Sequence, residues 1–454
     1  MSADRRRILA LALPASLEVG FQTLLGVVDL MMIGHLGQDA IAGVGLVNTM
    51  VFLLLLSLGT IGAGGSVLVA QWFGQGDARR VSQYSGQILL AGLVAGLAVG
   101  AGLASGGAEL LMAVGADPAA AAAGAGYLRI VGGSFPLALL TLLTSEVLRA
   151  TGDSRMPLLV MGATLALNTA LNWLLIFGVG PFPALGAEGA AIATALARLI
   201  GLAALATYLF RGHLFGARPP QPCRPADALR FERTRMAELA AIAWPVTVGE
   251  SLWALGTFLY TVMYAKVGQA ALAASQVSGT IEGFFIMTAF GLSIAGLALV
   301  GQDLGAGRRE QAHETAARVL RIGLWLSLVV GVGMALFALA VPALYPTLGA
   351  EAEGLLVLGL LVMAPTLPVR IANMVFGNGI LRGGGDARWV MMTDATVMFA
   401  VGVPVAWLFG IELGYGFFGV FAGRVAEEAA RLVSLYGRWR SGRWARTLTA
   451  APAE

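Results

Sequence analysis

Charge is what this sequence has least of. Asp, Glu, Lys and Arg make up only 12% of its 454 residues. That is about half of what a soluble domain carries, and it excludes an ordinary water-facing protein. Cysteine is nearly missing: the single Cys223 excludes an intrachain disulfide and any cysteine cluster for a metal. Histidine is limited to His35, His213 and His313, each near a loop or the end of an apolar run. His35 reads as a loop contact rather than a proton carrier. Without a nucleophile–base pair or a metal cluster, an enzyme is not expected, nor is a cofactor. Gly305-Ala306-Gly307-Arg308 is no phosphate loop, because the Lys-Ser/Thr ending is missing. No cleavable signal stands out, since Arg5-Arg6-Arg7 leads into a long run with no clear cleavage site.

What is present instead is apolar. Hydrophobic residues make up 57% of the chain and mean hydropathy is +0.79. Most of the sequence consists of apolar runs, each long enough to cross a hydrocarbon layer of roughly 30 Å as a helix. Twelve spans are expected, near 8–33, 42–72, 84–107, 124–148, 157–178, 186–211, 238–264, 271–301, 316–343, 355–381, 389–409 and 414–437. The 62 glycines suit this assignment, because small residues let helix backbones approach closely in lipid. The fold class is an all-α integral membrane protein.

The chain also repeats itself at a nearly constant offset. Leu36-Gly37-Gln38 returns in the second half as Val267-Gly268-Gln269, and Gln71 to Gly76 returns at the same offset as Gln302 to Gly307. Leu148-Arg149 with Gly152-Asp153 returns, the offset now slightly longer, as Leu381-Arg382 with Gly385-Asp386. Two similar six-helix halves in a membrane protein point to a transporter with its site between them. The expected division is an N-lobe at 1–211, a cytoplasmic linker at 212–236 and a C-lobe at 237–454.

Arginines crowd alternate connections: Arg5 to Arg7, Arg79-Arg80, Arg149 with Arg155, Arg211 through Arg235, Arg308-Arg309, Arg382 with Arg388, and Arg438 through Arg446. The intervening loops are nearly free of cations, apart from Arg129 and Lys266. The positive-inside rule then places both termini and the linker in the cytoplasm, with the two halves in parallel. Basic residues so dispersed give no reason to expect nucleic acid. The Pro-rich linker reads as a flexible tie.

Polar residues inside the spans carry the functional argument, because an ionised group deep in lipid is costly and faces a cavity, pairs or takes up a proton. Glu18, Gln22 and Asp29 fall within an arc of roughly 40° at 100° per residue, a polar stripe on the first helix. Burial raises a carboxylate's pKa, so such an acid can load and release a proton. The plainer reading of Asp29 is an interfacial acid bonded to a loop. Asn168 and Asn172 share a face of the fifth helix and can orient a carboxylate or coordinate a cation, or simply join helices. In the second half Glu250, Thr257, Thr261 and Tyr264 line one face of the seventh helix, and Glu282 follows on the eighth. Each acid is open to a site role or a structural pair, with Arg198, Arg370 and Arg424 as candidate partners. Tyr260 could line a cavity. Pro14 removes a backbone hydrogen bond within the first helix and should bend or loosen it, and Pro245 is its counterpart in the repeat.

Several ordered motifs resemble the multidrug and toxic compound extrusion (MATE) transporters. They are Val28-Asp29-Leu30-Met31-Met32-Ile33-Gly34-His35-Leu36-Gly37, Leu148-Arg149-Ala150-Thr151-Gly152-Asp153, Asn168 to Gly178 with Gly186-Ala187-Glu188-Gly189, and Val300-Gly301-Gln302 with Leu304-Gly305-Ala306-Gly307-Arg308. The resemblance covers residues 8–437. It implies two six-helix lobes forming a V in a bacterial cytoplasmic membrane, a central cavity, and a monomer that expels organic cations or amphiphilic drugs in exchange for H⁺, with Na⁺ the lesser expectation. By this likeness Asp29 matches the acid that binds the coupling ion, Asn168 lies near it, and Pro14 matches the proline at which the first helix bends. Asn172 stands where some members carry an aspartate. Glu250 sits about one turn early for a NorM-like C-lobe acid, and Val369 to Asn373 carries none, so a DinF-like or mixed member is expected. The alternative is a flippase for a lipid-linked saccharide, which would need a cationic cavity.

Overall fold

The computed structural model describes residues 3–214, 216–344 and 349–449. Residues 1–2, 345–348 and 450–454 of the expected lobes, and residue 215 of the expected linker, lie outside the described residues. Twelve helical spans follow one another. They are α1 (Ala3–Ile33), α2 (Gln38–Gln75), α3 (Ala78–Ala113), α4 (Pro118–Gly133 with Phe135–Ala150), α5 (Arg155–Phe177) and α6 (Gly186–Arg211), then α7 (Arg233–Val267), α8 (Gln269–Gly305), α9 (Arg309–Ala338), α10 (Ala350–Leu381), α11 (Ala387–Glu412) and α12 (Gly416–Arg440). Ten of these are long and apolar enough to span a membrane, and α4 makes an eleventh with a 48° bend at Ser134. Only α12 falls short. Arg424, Glu427, Glu428 and Arg431 lie inside it and lower its hydropathy. Among the described residues the only β-pairing is an isolated bridge between Leu214 and Ala217.

Two compact units are formed, and they do not follow the lobes drawn from sequence. One comprises 1–16 with 244–454, the other 17–243. The chain therefore changes unit inside α1 and again inside α7. Packing explains the division. In the first unit Ile8, Leu11 and Ala12 join a buried cluster with Leu292, Ala295 and Leu299 of α8. Gly291 lets α8 lie against the Ala12 backbone carbonyl, where any Cβ would collide, and Ser16 Oγ donates to the Thr288 carbonyl at 2.8 Å. In the second unit Gly64 and Gly65 of α2 make room for Ala243 and Leu239 at the start of α7, and Tyr84 on α3 bonds Glu238. Leu239 and Ala243 are the counterparts of Ile8 and Ala12 at the repeat offset, so the two exchanges are repeats of one another.

The linker is laid onto α3 rather than left as a loose tie. Arg224 N–H donates to Ser82 Oγ at 2.8 Å, Ser82 Oγ to Asp227 at 2.5 Å, and Gln87 Nε2 to the Arg230 carbonyl at 2.6 Å. These bonds satisfy both the linker backbone and polar side chains near the start of α3.

Candidate functional site

In the 17–243 unit the polar side chains of three helices converge on Asp29. Asn168 and Asn172 are four residues apart on α5, and Thr194 and Arg198 four apart on α6, so each pair shares one helix face. Asp29 is 4% exposed and both asparagines are fully buried. Asn172 Nδ2 donates to Asp29 Oδ1 at 2.5 Å and to Asn168 Oδ1 at 3.1 Å. Asn168 Nδ2 donates to Thr194 Oγ1 at 3.2 Å. Thr194 stands beside the Asp29 carboxylate, and Arg198 is the neighbouring cation that acts on it. Arg198 donates to Ser134 Oγ at 3.3 Å, at the bend of α4. No protein group among the described residues donates to Asn172 Oδ1. The carboxylate is thus held by an amide, with a hydroxyl beside it, rather than closed off by a direct ion pair, and this oxygen-rich cluster can take a proton or a small cation.

Glu18 shares the helical stripe but meets different neighbours. It forms a buried ion pair with Arg149, which also reaches Glu146 at 2.9 Å. Sequence reasoning places Arg149 among the loop cations. It is instead 5% exposed, because the bent α4 carries its last turn into the unit. Gln22 is exposed and shows no hydrogen bond among those described. Pro14 lies in an α-helix that runs unbroken from Ala3 to Ile33.

The other unit holds a partly buried ionic network larger than the sequence suggests. Glu250 pairs with Arg382 at 2.9 Å. Glu282 lies against Arg370 and, at 3.4 Å, Arg424. Arg370 also reaches Glu428 at 3.3 Å, and Glu428 accepts from Asn373 Nδ2 at 2.7 Å. Arg431 pairs with Asp394 at 2.8 Å. Tyr260 OH donates to Glu427 Oε2 at 2.6 Å. Tyr264 packs on Phe417 with ring centroids 5.1 Å apart. Thr257 and Thr261 turn their hydroxyls back onto their own helix, to the Trp253 and Thr257 carbonyls.

Sequence reasoning misses Asp394, Glu427, Glu428 and Arg431. A signal is present: residues 424, 427, 428 and 431 stand at the three- and four-residue spacings of one helix face. Charges aligned in this way inside a span look inward.

Comparison with known proteins agrees with this architecture. The family described as MatE matches residues 14–174 and 245–408. A probable multidrug resistance protein NorM of Thermotoga maritima is 26% identical, covering 97% of this chain and 93% of its own. A Shewanella oneidensis protein named FAD transporter is 27% identical over 72% of each chain. A solved MATE structure in the bent conformation superposes with a TM-score of 0.85 at 20% identity, over 97% of this chain and 95% of that one.

Proposed function

This chain belongs to the MatE family, and on that premise we propose that it exports amphiphilic organic cations in exchange for protons. It is a multi-pass membrane transporter and not an enzyme. The observation that carries the antiport reading is the cluster around Asp29, a buried carboxylate held by Asn172 and flanked by Thr194, with no direct ion-pair partner among the described residues. Protonation gives the carboxyl a donor, and Asn172 Oδ1 is an acceptor with none. Loading a proton therefore rearranges the bonds among Asp29, Asn172 and Asn168. Those bonds tie α1 to α5, so the rearrangement frees α1 to bend at Pro14, where a backbone hydrogen bond is already missing. Proton and drug exclude one another, and the cycle alternates access without covalent chemistry. Na⁺ could use the same oxygens. Glu18, neutralised by Arg149, supports the fold of the unit rather than the exchange. The transporter works as a single chain, with both termini on the arginine-rich cytoplasmic side.

The test uses inside-out vesicles from a host lacking its own pumps, with respiration holding the lumen acid. Addition of ethidium should dissipate the pH gradient in wild type and not in Asp29→Asn. Equal dissipation in the variant sinks the role of Asp29. A response that needs luminal Na⁺ in place of the pH gradient assigns the coupling ion to Na⁺.

A second reading has one observation behind it. The arginines Arg370, Arg382, Arg424 and Arg431, together with the relative named FAD transporter, suit an anionic cargo such as a nucleotide or a lipid-linked saccharide. Each of those guanidiniums is already bridged by a carboxylate, which leaves no net cationic surface to receive a pyrophosphate. Cations are the better match.

A further inference from the structure

The repeat offset relates the two units residue by residue, and at the site it relates them with the chemistry exchanged. Asp29 and Tyr260 are separated by the same offset as Leu36 and Val267, and Thr194 and Glu427 by the same offset as Leu148 and Leu381. Both pairs are therefore equivalent positions of the repeat. In one unit the acid is on the first helix and the hydroxyl on the sixth. In the other the hydroxyl is on the first helix of the repeat, α7, and the acid on its sixth, α12. The acid and the hydroxyl stand together in both units, Thr194 beside Asp29 and Tyr260 hydrogen-bonded to Glu427. Arg198 and Arg431, equivalent in the same way, stand one turn beyond the α6 hydroxyl and the α12 acid.

Charge balance sets Glu427 apart. The partly buried network holds five acids, Glu250, Glu282, Asp394, Glu427 and Glu428, against four arginines, Arg370, Arg382, Arg424 and Arg431. Each acid except Glu427 is bridged by a guanidinium among the described residues. Five carboxylates and four guanidiniums leave one negative charge in a setting where an unbalanced charge is costly. The backbone makes room for the exception. Gly402 lies in a π-helical segment of α11, Met398–Gly402. A Cβ there would collide with Tyr260 OH and stand 2.9 Å from Glu427 Cβ and 3.0 Å from its Oε2. Irregular turns of this kind recur at functional sites.

We propose that Glu427, hydrogen-bonded by Tyr260, is a second proton-binding site of the exchange cycle, the counterpart of Asp29 in the other unit. The groups around it favour a proton over a metal cation. Tyr260 faces it from α7, and Arg424, Glu428 and Arg431 share its helix. Behind them stand Arg370 and Asn373 of α10, Asp394 of α11 and Glu282 of α8. Two neighbouring guanidiniums repel a metal ion, and one carboxylate with one phenol supplies too few oxygens to replace its hydration. A proton on the Glu427 carboxyl leaves the network at four charges of each sign. Its release to the cytoplasm on drug binding restores the carboxylate, so one proton is taken up and one released per turn.

The inference rests on the antiport reading only for the link to drug, and two measurements keep the failures apart. Infrared spectra of the purified transporter near neutral pH should show a protonated-carboxyl band that Glu427→Gln lacks. Tyr260→Phe, which keeps the acid and the shape, should move that band to higher frequency. If wild type has no such band, or Glu427→Gln keeps it, the site does not exist. In weakly buffered detergent solution, ethidium binding should release one proton fewer from Glu427→Gln than from wild type. An unchanged count with the band removed leaves a resident proton that takes no part in exchange, and overturns the proposal. An unchanged count in Asp29→Asn, with a reduced one in Glu427→Gln, overturns the Asp29 reading alone.

Discussion

Asp29 and Glu18 lie on one face of α1, yet their partners give them opposite chemistry. A buried arginine bridging two acids, as Arg149 does for Glu18 and Glu146, fixes charge and geometry. An amide, as at Asp29, leaves the carboxylate without a bridging cation, which is why the proposed exchange is placed there. The stripe was legible from helical periodicity; the sorting of its members was not, because Arg149 arrives from a distant part of the chain, on α4. Cys223 gives a prediction at the same scale. Burial pushes its thiol up to about 11, with the adjacent Ser85 hydroxyl opposing the effect and the nearby Asp227 adding to it. A raised value keeps the thiol protonated near neutral pH, and thiolate appears only as pH climbs toward that value. Maleimide should therefore label folded protein about a hundredfold more slowly than an ordinary cysteine, each unit being a tenfold change in thiolate. Denaturation should abolish the difference. Fast labelling of folded protein would mean that the linker leaves α3.

At the scale of helices, glycines decide where spans touch. Gly291 and Gly279 lie on the same helix, α8, but a Cβ at Gly291 collides with the Ala12 carbonyl, whereas at Gly279 it meets nothing within 4 Å. Gly291→Val should destabilise by about 1–3 kcal/mol through overpacking, read as a lower Tm. Gly279→Val should leave Tm nearly unchanged. Equal effects would show that α1 does not pack on α8 as described. The ends of the twelve spans agree with the apolar runs to within seven residues, because hydropathy is local. The last span is the instructive one. Its length was legible at 414–437, but the purpose of its charges required α7, α8, α10 and α11 around it.

At the scale of the whole chain, α1 and α7 each belong to both units, and each has a proline beside the crossing. Pro14 is two residues before the 16/17 crossing, and Pro245 two after Ala243. A proline leaves the carbonyl four residues earlier, Ala10 or Ala241, without its helical donor. Softness is thus placed where the chain passes between bodies. Pro14→Ala restores the missing bond, so Tm should hold or rise while ethidium efflux falls by about tenfold or more, the pattern of a stiffened hinge. Undiminished efflux would remove the hinge from the mechanism.

The sequence by itself determined the membrane class, the twelve spans, the twofold repeat and the candidacy of Asp29 with Asn168 and Asn172. Each follows from local hydropathy, a constant offset or helical spacing, all readable along one strand of text. Only the tertiary structure decided which acids are neutralised, that the linker is docked, that the compact units exchange the first parts of α1 and α7, and that Tyr260 meets Glu427. Those outcomes depend on side chains from helices far apart in sequence meeting in a medium where an unbalanced charge is costly, and no pattern within a single helix encodes such a meeting.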